Sequence, residues 1–156
     1  MKQQIFCADK YLSAQDVARI TARIAKDHDI SHEQAEKILN GTIEFLELSA
    51  KYPGQRFVPS KEIDKGWHTL LLYTRTYRKL CQSLGAQFID HEPSDGDVSV
   101  PRGGALNTVA FMQQNKILFD TELWPEKSLA DCEADPCNCT GCDEWVMKQE
   151  NQVVAA

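Results

Sequence analysis

The chain has 156 residues, 42% of them hydrophobic and 26% charged, which is enough apolar material for one core and too much for a disordered segment. Its net charge of −6 comes with 17 scattered basic residues, so no basic stripe is available to grip a nucleic-acid backbone, and no nucleic-acid partner is expected. No apolar run reaches the roughly 18 residues of a membrane span, and Met1–Lys10 lacks the basic and apolar segments of a signal peptide, so a cytoplasmic protein without a membrane partner is expected.

Ser13 has the chemistry of a helix N-cap, and Val17, Ile20 and Ile24 then recur at helical spacing, predicting a helix over 14–28. Ser31 and Gln34 have the spacing of a capping box ahead of the stripe Ala35, Ile38, Leu39, Thr42, Phe45 and Leu46. The turn between the two is so short that they must form an antiparallel hairpin. Gly41 interrupts the second helix and is read as a close helix contact. Tyr52, Pro53 and Gly54 end the hairpin, and the loop to Pro59 is expected to be pinned by Phe57 and Val58.

Ser60 should cap one long helix over 61–84, with Ile63, Trp67, Leu70, Thr74, Tyr77, Cys81 and Leu84 buried and Gly85 stopping it. Phe88 to Pro93 reads as an extended return segment and Ser94 to Gly104 as a mobile loop. A fourth helix is expected from Ala105 to about Leu118 on the stripe Leu106, Val109, Ala110, Gln113 and Ile117, with Phe111 and Leu118 widening its apolar side. Leu123 and Trp124 should fasten the next segment to the bundle, and Trp145, Val146 and Met147 mark a short terminal helix. The fold class is therefore mainly α, with residues 1–128 forming the helical domain and 129–156 an acidic, cysteine-rich tail.

Two groups of residues carry chemistry. Asp64 and His68 are four apart and share a helix face, and the return segment brings His91 as a third ligand, because one helix cannot surround an ion. A carboxylate and two imidazoles suit zinc or iron. A structural reading stands beside this: Asp64 helps to cap the helix, Trp67 is core, and His68 is hydrogen-bonded at the surface.

The run Asp64-Lys-Gly-Trp67-His68, followed by Tyr77, Cys81 and His91 at set intervals, resembles the glycine-rich-domain-protein-like family of plant glycine-rich domain proteins and short bacterial proteins of unassigned activity. The resemblance implies that Asp64, Trp67, His68, Tyr77, Cys81 and His91 act as one unit, as a site or as a packing motif. It departs at Leu70, where many plant members carry a second histidine, and at Leu80, where an acidic residue is common.

The second group is Cys132, Cys137, Cys139 and Cys142, set among carboxylates. Four thiolates suit tetrahedral zinc, and a divalent ion would relieve the surrounding negative charge; a thiol relay and an uncommitted tail are the alternatives. With no nucleophile–base order and no phosphate-binding glycine loop, three functions remain open. One is a metal-binding protein, of unassigned reaction, with an Asp/His/His site and a cysteine site. Another is a noncatalytic module whose tail binds a protein or peptide partner, and the third is a thiol-redox protein that uses His68 as base.

Overall fold

Serine caps set the starts of the three longest helices in a computed structural model, which describes residues 8–92 and 104–124 of the chain. In order, the helices are α1 (Ala8–Tyr11), α2 (Ala14–His28), α3 (His32–Lys51), α4 (Lys61–Leu72), α5 (Thr74–Ser83) and α6 (Ala105–Gln114). Helix accounts for 67% of the described residues and none of them is in a strand, so the expected all-helical class holds. The side chains of Ser13, Ser31 and Ser60 accept hydrogen bonds from the backbone N–H of Asp16, Gln34 and Ile63, each three residues on, at 3.1, 3.1 and 3.2 Å. Each satisfies a donor that the helix start would otherwise leave open. Among the described residues no helix is long and apolar enough to cross a membrane.

The helical hairpin of α2 and α3 turns at Asp29, which takes the left-handed conformation at φ 51° that short polar side chains tolerate. All six expected stripe residues of α3 are buried, and Asn40, Gly41, Ile43 and Leu48 are buried with them, because α3 is covered on several sides. The short α1, which no sequence pattern announces, closes one of these: the Ala8 N–H donates to Asn40 Oδ1 at 3.0 Å and the Tyr11 hydroxyl to Glu47 Oε1.

α4 crosses α3 at very short range. A Cβ on Gly66 would lie 2.1 Å from Thr42 Oγ1 and 2.8 Å from Ile38 Cγ2, so only glycine permits this approach. Gly41 has the same role from the α3 side, since a Cβ there would meet Leu123 Cδ1 at 2.5 Å and Ile63 Cδ1 at 2.8 Å. Leu123 and Trp124 are buried as the expected anchor, with the Trp124 ring 6.0 Å from that of Phe45. The loop before α4 is pinned by Thr108, whose hydroxyl accepts from Val58 N–H at 3.0 Å and donates to Val58 C=O at 2.8 Å, and by an edge contact between Phe57 and Phe111 at 5.0 Å.

Two expectations are corrected. The single helix over 61–84 is two helices, broken at Tyr73 (φ −93°, ψ 61°), whose N–H reaches back only to Leu70 C=O. Thr74 is exposed rather than buried, while Thr76 and Leu80 join Tyr77 and Cys81 in the interior, because the break rotates α5 relative to α4. The fourth helix ends at Gln114 rather than near Leu118. Lys116 turns to φ 56° and the Ile117 N–H bonds to Met112 C=O at 2.8 Å, a C-terminal motif usually built on glycine. Leu118 is therefore 94% exposed and Gln113 is also exposed, while Thr108, Val109 and Met112 form the buried side.

Candidate metal centre

The placement of Asp64 and His68 follows from the Ser60 cap, which starts α4 so that both residues lie on one face, one turn apart. Asp64 Oδ2 is 3.6 Å from His68 Nε2. His91 arrives from the other end of the motif. Gly85, at φ 80°, terminates α5 with the Ala86 N–H on Cys81 C=O at 3.0 Å, and the chain then runs back towards α4. There the His91 Nε2–H donates to Asp64 Oδ1 at 2.8 Å.

The break at Tyr73 makes a further link possible. On a straight helix, residues ten apart are separated by about 15 Å along the axis, with both side chains tilted towards the N-terminus. Across the break, the Trp67 indole N–H donates to the Tyr77 hydroxyl at 3.0 Å, and that hydroxyl donates to Ile89 C=O at 2.5 Å, two residues before His91. Burial pushes the Tyr77 hydroxyl well above the usual phenol range, so it stays protonated and able to donate. Trp67 also packs edge-on against His91, with ring centroids 4.4 Å apart, and tilts against Phe45 at 5.3 Å.

The result is a cluster in which one ligand atom from each of Asp64, His68 and His91 lies within 4.8 Å of the other two. Ligands around a tetrahedral ion at about 2.1 Å are about 3.4 Å from one another, so the side chains need little adjustment to share one. They differ in access: the His91 side chain is 14% exposed, Asp64 38% and His68 59%. The cluster opens on a cleft of about 550 Å³ whose walls are the segment 56–61 and Asp90–Glu92, with Trp67 between them. An ion pair of 3.2 Å between Arg56 and Glu92 joins the two walls.

Of the other residues singled out from sequence, Tyr77 and Cys81 are fully buried, and Cys81 is part of the core. Leu70 and Leu80 are core residues too. Cys132, Cys137, Cys139 and Cys142 lie outside the described residues, as do the terminal helix around Trp145 and all of the 94–104 loop except Gly104. Sequence reasoning misses the cleft residues Arg56, Lys61, Asp90 and Glu92, which show no periodicity, and the hydroxyl of Tyr77, which looks like one more core aromatic.

A family model described as UCP032817-like matches residues 8–99, more than half of the chain and the whole of this cluster. That match, to an uncharacterised family, overturns the resemblance to the glycine-rich-domain-protein-like family. The spaced Asp64, Trp67, His68, Tyr77 and His91 meet in one local cluster with Cys81 in the core beside it, and one such local grouping does not define a family. No curated protein and no solved structure matches the chain.

Proposed function

We propose, for a chain that belongs to the UCP032817-like family, that it binds one zinc or iron ion through Asp64, His68 and His91. The observation that carries this reading is the convergence of three ligand atoms from two separate segments to within 4.8 Å. A carboxylate with two imidazoles is a donor set for zinc or ferrous iron. A centre with three protein ligands keeps a coordination position, and here that position belongs to the cleft side, as expected of a reactive rather than a purely structural ion. Such an ion supplies Lewis-acid chemistry or an activated water to whatever enters the cleft.

The 2.8 Å contact between His91 and Asp64 favours a second reading, a hydrogen-bonded structural cluster. The two readings differ in metal content: an ion held by the cluster takes the place of the hydrogen bond between His91 and Asp64, whereas the structural cluster holds no ion. Elemental analysis of the full chain, of a variant truncated after residue 129 and of Asp64→Ala and His91→Ala decides between them. The expected outcome is about one ion per chain in the truncated protein, lost in both substitutions. Metal retained only when Cys132, Cys137, Cys139 and Cys142 are present would assign it to the tail as a separate proposed site, and metal-free protein throughout would leave the structural cluster.

A further inference from the structure

The least expected feature of this region is a pair of hydrogen bonds outside the ligand set, made at the buried Tyr77, from Trp67 to Tyr77 and from Tyr77 to Ile89. The polar contact of His68 is with its cluster neighbour Asp64, at 3.6 Å, and its ring tilts against that of His91 at 4.5 Å. His91 belongs to a segment with no helix or strand of its own, and so has no ladder of backbone bonds to hold it. That segment is nevertheless held at a defined place. Ile89 C=O accepts from the Tyr77 hydroxyl, the Phe88 ring meets the Tyr77 ring edge-on with centroids 5.3 Å apart, and Glu92 pairs with Arg56 at 3.2 Å.

The Arg56–Glu92 pair is exposed on both sides and contributes little. The Tyr77 bond is different, because the residue is fully buried and its oxygen is also the acceptor for Trp67 Nε1–H. Replacing that oxygen by hydrogen would leave a buried indole donor and a backbone acceptor without partners. Trp67 lies one residue before His68 and three after Asp64, so the hydroxyl joins the helix that carries two ligands to the return segment that carries the third.

We propose that Tyr77 is the positioning residue of the centre: by accepting from Trp67 and donating to Ile89, it sets the distance between His91 and the Asp64–His68 face. The inference rests on the metal reading given above for its consequence in affinity, but not for the placement of His91 itself. Tyr77 touches no ligand atom and takes no part in coordination. Its effect is transmitted through two backbone steps and through the Trp67 ring against which His91 packs at 4.4 Å.

The test uses the full chain and Tyr77→Phe, which keeps the ring and removes both hydrogen bonds. Zinc affinity is measured by competition with a chromophoric chelator, and cobalt is used as a probe whose visible bands report coordination geometry. Far-UV circular dichroism of the metal-free proteins is recorded alongside. The expected result is an unchanged helical spectrum, zinc binding about tenfold weaker or more, and altered cobalt bands, in line with the loss of a residue that orients a ligand from outside the ligand set. A variant that only loosened the fold would melt at a lower temperature and bind zinc equally well when folded.

Equal affinity and identical cobalt bands in Tyr77→Phe would overturn the inference and leave the metal reading intact. If the wild-type chain binds neither ion, the metal reading fails and the positioning claim is decided by NMR. The ring protons of His91, shifted by the adjacent Trp67 indole, should move to unshifted positions in Tyr77→Phe, and unchanged shifts would overturn the claim. Should Tyr77→Phe not fold, Trp67→Phe removes the indole donor together with part of the ring against which His91 packs, with weaker zinc binding expected and unchanged affinity refuting.

Discussion

Gly66→Ala isolates the close crossing of α3 and α4 on which the site is built. In an open helix this change is favourable by about 1 kcal/mol. Here the new methyl would lie 2.1 Å from Thr42 Oγ1, 2.8 Å from Ile38 Cγ2 and 3.3 Å from Ile38 C=O. Thr42 cannot simply turn aside. It is β-branched within a helix, and its hydroxyl already donates to Ile38 C=O at 2.7 Å, with Ile63 C=O 3.3 Å away. Moving it costs about 1–3 kcal/mol for a buried polar group that loses its partner, and forcing α3 and α4 apart costs about 1–3 kcal/mol of overpacking.

Both costs together, set against the gain in helix propensity, leave a net loss of about 1–5 kcal/mol. Urea unfolding followed by far-UV circular dichroism measures this as a lower midpoint with unchanged slope. Thr42→Ala removes the colliding oxygen, so in that background Gly66→Ala should cost at least about 1 kcal/mol less than it does alone, a coupling expected for side chains in contact. A Gly66→Ala protein as stable as wild type, or more stable, would refute the reasoning, because it would mean that the helices are not held this closely.

Trp67→Ala should lose about 3–5 kcal/mol in chemical denaturation, since the ring is packed against Phe45 as well as lining the cleft; a loss under about 1 kcal/mol would make it a wall of the cleft and no more. With zinc at about 100 times its dissociation constant the wild type should gain about 2.7 kcal/mol, and chelator should return it to the metal-free value without affecting His91→Ala. In chelator, His68→Ala should stay within about 0.5 kcal/mol of wild type because His68 is largely exposed, whereas His91→Ala should lose about 1 kcal/mol with its bond to Asp64. A chain ending after residue 129 should still unfold in a single cooperative transition, since the described core ends at Leu123 and Trp124; loss of cooperativity would move the domain boundary.

Much of this arrangement is legible from local chemistry. Ser13, Ser31 and Ser60 each mark a helix start because capping is decided by a hydroxyl and an N–H three residues away. Asp64 and His68 share a face for the equally local reason of helical repeat, and Gly41 marks a close contact that Leu123 and Ile63 fill. The break at Tyr73 is not legible. Ile63, Trp67, Leu70, Tyr77 and Cys81 fall at spacings that an unbroken helix satisfies, and no glycine or proline marks a break between Trp67 and Cys81. The end of α6 is hidden for a related reason, since Lys116 occupies the left-handed position where glycine would have announced it.

That hidden break is what brings the motif together. Along a straight helix the indole of Trp67 and the hydroxyl of Tyr77 could not meet, and Tyr77 would have no reason to face the return segment. Once α5 turns at Tyr73, the hydroxyl becomes the point at which α4, α5 and the Ile89–Glu92 segment are joined. The cluster is then held unequally. His91 is 14% exposed, bonded to Asp64 and packed on Trp67, while His68, at 59%, leans on Asp64 and the His91 ring from the open side. On the proposed metal reading, Asp64 and His91 would be set by the fold before an ion arrives, and His68 would be the exposed side chain on the cleft that closes on it. A purely structural cluster needs no such exposed member, because His68 adds little to a pair that Asp64 and His91 already form at 2.8 Å.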